Sequence, residues 1–240
     1  MPSVPAYATV GDLSPTRRLG LFTWVALLCL LGWDFSGLDP AVMHAVAKDG
    51  VFVLRDNWWL EMVLHTRAKQ LAIVVYFGLL VMVWWPKGVF RQWTRLQRVE
   101  IMVGITLSLI TISTLKRYSL TSCPWELQGL GGIAAYVSHW HGGIPDGGSG
   151  NCFPGGHVSS AFAFLALALP WLGSDQAQQR TMGRRILTSV VFIGLVLGLT
   201  QTLRGAHYPS HTLWTGFICW TVAFANHLLF GWWAYRRTHR

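Results

Sequence analysis

Four short stretches of the 240-residue sequence put ionisable side chains where apolar runs begin or end. Lys116 and Arg117 close one run, Pro154-Gly155-Gly156-His157 opens the next, Arg204 and His207 follow the end of another, and His211 opens the last. Together they offer what a tetrahedral phosphoryl anion needs. Gly155 and Gly156 carry no side chains, so backbone amides at a helix start can point at an anion, with the positive end of the helix dipole behind them. Lys116 and Arg204 can neutralise equatorial oxygens, the arginine with a two-pronged donor geometry. Two histidines can divide the covalent work, one attacking phosphorus and the other protonating the leaving oxygen. This scheme calls for no metal and no cofactor. Each feature alone has a plainer reading: a basic residue at a helix end is an interfacial anchor, Gly-Gly is a turn, and His207 and His211 are polar loop residues. Their common location carries the argument, because ionisable groups gathered at one depth of a bundle mark a functional site.

The elements that must position these residues are legible from composition. With 52% hydrophobic residues, 14 Trp and 12% charged residues, the chain holds more apolar surface than one soluble core of this length needs, and a bilayer is the natural solvent for the excess. The net charge of +9 is divided among short clusters between apolar runs. That distribution fits bilayer anchoring and argues against a nucleic-acid partner. Six apolar runs cover residues 19–33, 71–85, 101–115, 158–172, 186–203 and 213–235. Several hold fewer than the ~20 residues that span a hydrocarbon core, so flanking residues must extend them. Trp33, Trp58, Trp59, Trp84, Trp85 and Trp93 near their ends suit an aromatic belt.

No repeat and no interdomain linker is visible, so residues 1–240 form a single all-α domain: a six-transmembrane-helix bundle with an interfacial helix and a long outer loop. Placing the amino terminus inside puts 12 of the 19 Lys and Arg residues on the inner side. Both termini are then cytoplasmic and all four stretches face outward. Residues 1–16 are polar and show no cleavage pattern, which makes the first helix an uncleaved insertion signal. Residues 39–70 begin with Asp39-Pro40, a helix start, and mix apolar with charged residues. Such a segment lies along the outer leaflet, as an ordinary interfacial helix or as a lid for a lipid. Residues 118–153 are dense in glycine and form an irregular outer loop. Cys123 and Cys152 bracket that loop in a compartment where disulfides persist, and a bond between them is expected. Cys29 and Cys219 lie inside apolar runs.

Lys116 with Cys123-Pro124 seven residues on, Pro154-Gly155-Gly156-His157, and Arg204-Gly205-Ala206-His207-Tyr208-Pro209-Ser210-His211 resemble, in order and spacing, the three motifs K-x6-R-P, P-S-G-H and S-R-x5-H-x3-D of the type 2 phosphatidic acid phosphatase family. The resemblance covers residues 116–211, and the six-helix topology extends it to most of the chain. It implies that His207 attacks phosphorus and is transiently phosphorylated. It further implies that His157 is the general acid and that glycine amides with Lys and Arg side chains hold the phosphoryl oxygens, without a metal. The substrate it implies is a lipid phosphate or diphosphate in a bacterial inner membrane, with the active site facing the periplasm.

The motifs depart from the family at four places. Cys123 stands for Arg in the first and Gly155 for Ser in the second. In the third, Gln201 occupies the Arg position, Arg204 follows three residues later, and His211 replaces Asp. A carboxylate at 211 would orient the His207 imidazole and stabilise its charge, whereas a neutral His211 accepts the same hydrogen bond without that charge. A working but differently tuned site is expected. A phosphotransferase that passes the group to another lipid is a close variant, since a phosphohistidine can be resolved by an acceptor other than water. A lipid-phosphate binder or transporter without turnover is a second class, although binding alone does not require both His157 and His207. A metallohydrolase is a third, using His139 with His141 or His207 with His211. Pro209 interrupts the latter pair, and no outer carboxylate is spaced to complete a ligand set.

Overall fold

The structure is a computed structural model that describes residues 14–174 and 176–238. The reading of residues 1–16 therefore falls mostly outside the described residues. Among those described, every regular element is helical, and strand-like pairing is confined to three isolated bridges. The helices are α1 (Ser14–Phe35), α2 (Leu38–Val46), α3 (Ala68–Met82), α4 (Arg95–Tyr118), α5 (Ser159–Phe162), α6 (Leu169–Leu172), α7 (Ala177–Leu203) and α8 (Pro209–Thr238). A π-helical segment, Trp59–Arg67, runs directly into α3.

Four helical stretches are long and apolar enough to cross a membrane: Thr16–Phe35, Arg95–Tyr118, Ala177–Leu203 and Pro209–Arg237. Their outward faces carry Leu21, Trp24, Leu28, Ile110, Phe192, Leu199 and Leu229, all exposed. In a membrane these side chains meet lipid; in water they would be a liability.

The run at 158–172 corrects the expectation of a fourth long helix. It folds as two four-residue α-helices joined by a 3-10 turn at Ala163–Leu167, with Pro170, which has no amide to donate, inside α6. Nearly all of its side chains are buried. It is apolar because it fills the centre of the bundle between α4, α7 and α8. A Cβ at Gly194 of α7 would lie 2.4 Å from the Phe162 ring, and one at Gly104 of α4 would lie 3.0 Å from Ala166. The core around it includes Ile101, Ile105, Ile112, Leu165, Leu169 and Trp220.

Helix α4 starts with a reciprocal cap: Gln97 N donates to Thr94 Oγ1 at 3.2 Å, and Thr94 N donates to Gln97 Oε1 at 3.0 Å. It packs along α8, and α1 lies on the far side of α8, where Trp220 Nε1 donates to Thr23 Oγ1 at 2.8 Å. Trp58, Trp59, Trp84 and Trp85 are exposed near helix ends. Trp93 instead is 4% exposed and packs on Trp171 with ring centroids 5.2 Å apart, so it belongs to the core and not to an aromatic belt.

Asp39 also departs from its expected role. Gly37, in the left-handed conformation, precedes α2, and Asp39 sits in the first turn. Its carboxylate accepts from Ser210 N at 3.1 Å and from Trp33 Nε1 at 2.8 Å, which ties α2 to the start of α8 and the end of α1. The loop at 119–158 holds a 3-10 turn at Pro124–Glu126 and is stapled by Asp146, which accepts from Ser122 N and Oγ at 2.6 Å each. Met43, Phe52, Leu127, Leu130, Ala134 and Tyr208 form a second core beneath it. Cys123 and Cys152 are at disulfide distance, with sulfurs 2.06 Å apart.

Candidate active site

The last turn of α4, the loop before α5 and the α7–α8 connection meet at one end of the bundle. The connection turns sharply because Gly205 adopts φ +74° and presses against Phe52, where a Cβ would come within 2.3 Å of the ring. Its carbonyl accepts from Trp125 N at 3.0 Å, so the outer loop is fastened next to His207. At the same end, a cavity of about 720 Å³ is lined at its head by His65, Lys69, Lys116, Gly156, His157 and His207. Its other walls combine apolar side chains, including Ile73, Phe77, Leu109 and Phe164, with Tyr76, Ser113, Ser159 and Ser160.

Lys116, Gly156, His157 and His207 are thus brought to one cavity. Lys116 reaches it by lying over Gly156, where a Cβ would sit 2.9 Å from Lys116 Cδ; any larger residue would displace the lysine stem. Lys116 Nζ donates to the Asn151 carbonyl. Among the described residues no hydrogen bond uses the Gly156 amide.

His157 Nε2 is 2.9 Å from the Leu64 carbonyl, which makes it the protonated nitrogen. The buried Nδ1 has no partner and carries the free lone pair. Burial first, and then His65, push its pKa down to about 4. His207 Nδ1 lies 3.3 Å from Cys152 Sγ and 3.4 Å from His211 Nδ1. Its Nδ1 is thus turned to the disulfide and His211, which leaves Nε2 as the nitrogen available for chemistry. Burial, and then Lys116, push the His207 pKa down to about 3, so the ring is neutral near neutral pH. A neutral imidazole is the form that can attack.

Two expected phosphate ligands are placed differently. Gly155 N donates to the His211 carbonyl at 3.2 Å, and Gly155 O accepts from Thr215 Oγ1 at 3.0 Å. Its polar groups tie the loop to α8 and are not directed at an anion. Arg204 Nε donates to the Arg55 carbonyl at 2.8 Å, and its guanidinium lies 3.4 Å from the half-exposed Glu61. It fastens the segment ahead of α3 and is not among the residues that line the cavity. His211, 1% exposed, lies against His207 Nδ1 and is not among the residues that line the cavity.

Sequence reasoning missed His65 and Lys69. Glu61, His65 and Lys69 recur at four-residue intervals, a spacing that shares a helix face, and this was the available signal. Of the two histidine pairs considered as metal ligands, His139 and His141 differ in setting, His139 lying 3.2 Å from Asp34 and stacked on Phe153 at 4.1 Å while His141 is exposed, and His207 and His211 stay adjacent. Ligand atoms of Cys123, Cys152 and His207 lie within 4.8 Å of one another, but both sulfurs are spent on the disulfide.

The fold and this cavity define an all-helical, membrane-associated protein with histidines and a lysine gathered at the head of an apolar pocket. A family model described as the PAP2 superfamily matches residues 98–236, more than half of the chain, and the chain belongs to that family. Membership implies phosphatase activity on phosphate esters. No curated protein and no solved structure matches the chain at a significant level.

Proposed function

We propose that the chain is an integral-membrane phosphatase that hydrolyses a lipid phosphate or diphosphate at the outer face of the membrane through a phosphohistidine. The observation that carries this reading is the shared cavity: His207, His157, Lys116 and Gly156 at its head, and apolar side chains from α3, α4 and the α5 region along its walls. A polar head group and an apolar tail match those two parts. The positive-inside bias supports the outward orientation, with α3 and the run at 159–172 as the two further membrane elements.

In the proposed reaction Lys116 and the Gly156 amide hold phosphoryl oxygens. His207 Nε2 attacks phosphorus, the bond from phosphorus to the leaving oxygen breaks, and that oxygen takes a proton from His157. Water then attacks the phosphohistidine, its proton returning to His157, and the phosphorus–nitrogen bond breaks to release phosphate. His211 orients the His207 ring from behind. A histidine with a pKa of about 4 is scarcely protonated at neutral pH, but a phosphoryl dianion placed beside it favours its protonated form. The acid is thus loaded by substrate.

Purified protein given a panel of lipid phosphates and diphosphates with chelator present should release inorganic phosphate. His207→Ala should lower that release by about 10³-fold or more. A silent panel, or a His207→Ala protein as active as wild type, would sink the reading.

A further inference from the structure

Two half-buried imidazoles lie face to face at the head of the cavity. The His65 and His157 ring centroids are 4.1 Å apart and the planes 9° from parallel. The scheme above gives His157 its role and leaves His65 without one. Yet His65 lines the same cavity as Lys116, Gly156, His157 and His207, and its buried Nδ1 has no hydrogen-bond partner. An orphaned buried nitrogen costs free energy unless something completes it. The side chain of Gln201, 1% exposed, stands beside the His65 ring. Gln201 is also where the third motif would carry arginine, and the guanidinium of Arg204 is held by the Arg55 carbonyl and Glu61.

We propose that His65 is a phosphoryl-binding residue: it takes up one proton when the anion enters, and Nδ1–H donates to a non-bridging oxygen, supplying the cationic donor that Gln201 does not.

The groups that face His65 explain why the proton arrives with the anion. Arg204 at the end of α7 and Lys69 in α3 are positive, His157 is stacked on it, and Glu61 and Gln201 are the neighbours that favour its charged form. Burial, followed by Arg204, lowers the pKa of His65 below the ordinary value in the empty site. Two neutral rings can stack in parallel, whereas two imidazolium rings at this separation repel. A phosphoryl anion reverses the balance, because an opposite charge within hydrogen-bonding distance favours the protonated form. The proton comes from solvent, and no bond to phosphorus changes in this step. His157 then gives its proton to the leaving oxygen while His65 keeps its own on an oxygen that stays with phosphorus. Substrate binding in this chain is therefore linked to proton uptake at a position where an arginine would be charged at every pH.

The inference rests on reading the cavity as a phosphoryl site, and the test separates the two. Inorganic phosphate is titrated calorimetrically into the purified full-length protein at about pH 6 and about pH 8, in buffers of different ionisation enthalpy so that proton uptake is read directly. His65→Gln and His65→Phe, the latter keeping a ring on His157, should each weaken phosphate binding about tenfold at the lower pH and reduce proton uptake by about one per phosphate. Adding Gln201→Arg to His65→Gln should recover affinity without recovering the proton. Wild-type affinity and wild-type uptake in either His65 variant would overturn the proposal. A wild-type protein that binds phosphate in this His65-dependent way but hydrolyses no ester would instead sink the phosphatase reading and leave this one standing.

Discussion

Helices α4 and α8 each carry polar residues at both ends of their shared contact, and the two ends are built differently. Lys116 and Glu100 are separated by the same number of residues as His211 and His227, a rise of about 24 Å in each helix. At one end, His227 Nδ1 meets Glu100 Oε1 at 2.6 Å, and Asn226 Nδ2 donates to the Glu100 carbonyl at 2.9 Å. At the other end, His207 faces His211 at 3.4 Å with no carboxylate between them, and His157 and His65 each keep a buried ring nitrogen without a partner. The chain therefore contains a short histidine–carboxylate contact, but away from the cavity. A buried histidine with a short charged partner consolidates a helix pair. Histidines whose buried nitrogens lack a protein partner and which line a cavity are candidates for ligand contact.

Substitutions at the two ends should separate accordingly. His157→Asn should lower kcat by about 10²-fold or more while the melting temperature stays near wild type. Glu100→Gln should do the opposite, costing about 1–2 kcal/mol of stability with kcat per folded molecule unchanged, because it replaces the charged acceptor of the 2.6 Å contact to His227 with a neutral one. Comparable kcat losses at both ends would erase the distinction.

A smaller effect follows from the missing carboxylate. His211→Asp should place a negative charge behind His207 and raise its pKa from about 3. The acid limb of the pH–rate profile, where His207 becomes protonated and unable to attack, then moves to higher pH by about one unit or more. An unmoved limb would mean that position 211 does not sense the nucleophile, as would an unchanged rate in His211→Ala.

The mildest prediction concerns stability. His207 and His157 have folded-state values of about 3 and about 4, against 6.5 for a free histidine. Between those limits the unfolded chain binds more protons than the folded one, so stability is full above 6.5 and falls as pH drops toward 4. His207→Gln should flatten that slope in chemical denaturation measured across the window. A slope unchanged by the substitution would break the link between burial and titration.

Much of the site was readable from residue types. Lys116, His157 and His207 stood at the ends of apolar runs, where charge in a bundle is costly and needs a purpose, and Cys123 and Cys152 bracketed one loop. Gly156 was legible as a bare position, though not as the seat for the Lys116 stem. His65 was not, because a lone histidine ahead of α3 gains significance only when the loop before α5 brings His157 against it.

The order of apolar and polar residues alone determined that the chain is helical and membrane-associated and which residues could handle a phosphoryl group, since burial preference and side-chain chemistry are local properties. Tertiary structure decided that the run at 158–172 is a broken central plug, that Arg204 is held by the Arg55 carbonyl and Glu61 while the Gly155 amide goes to the His211 carbonyl, and that His65 joins the cavity. Hydrogen-bond partners and cavity walls are pairings between segments far apart in the chain, and geometry assigns them only once the helices have packed.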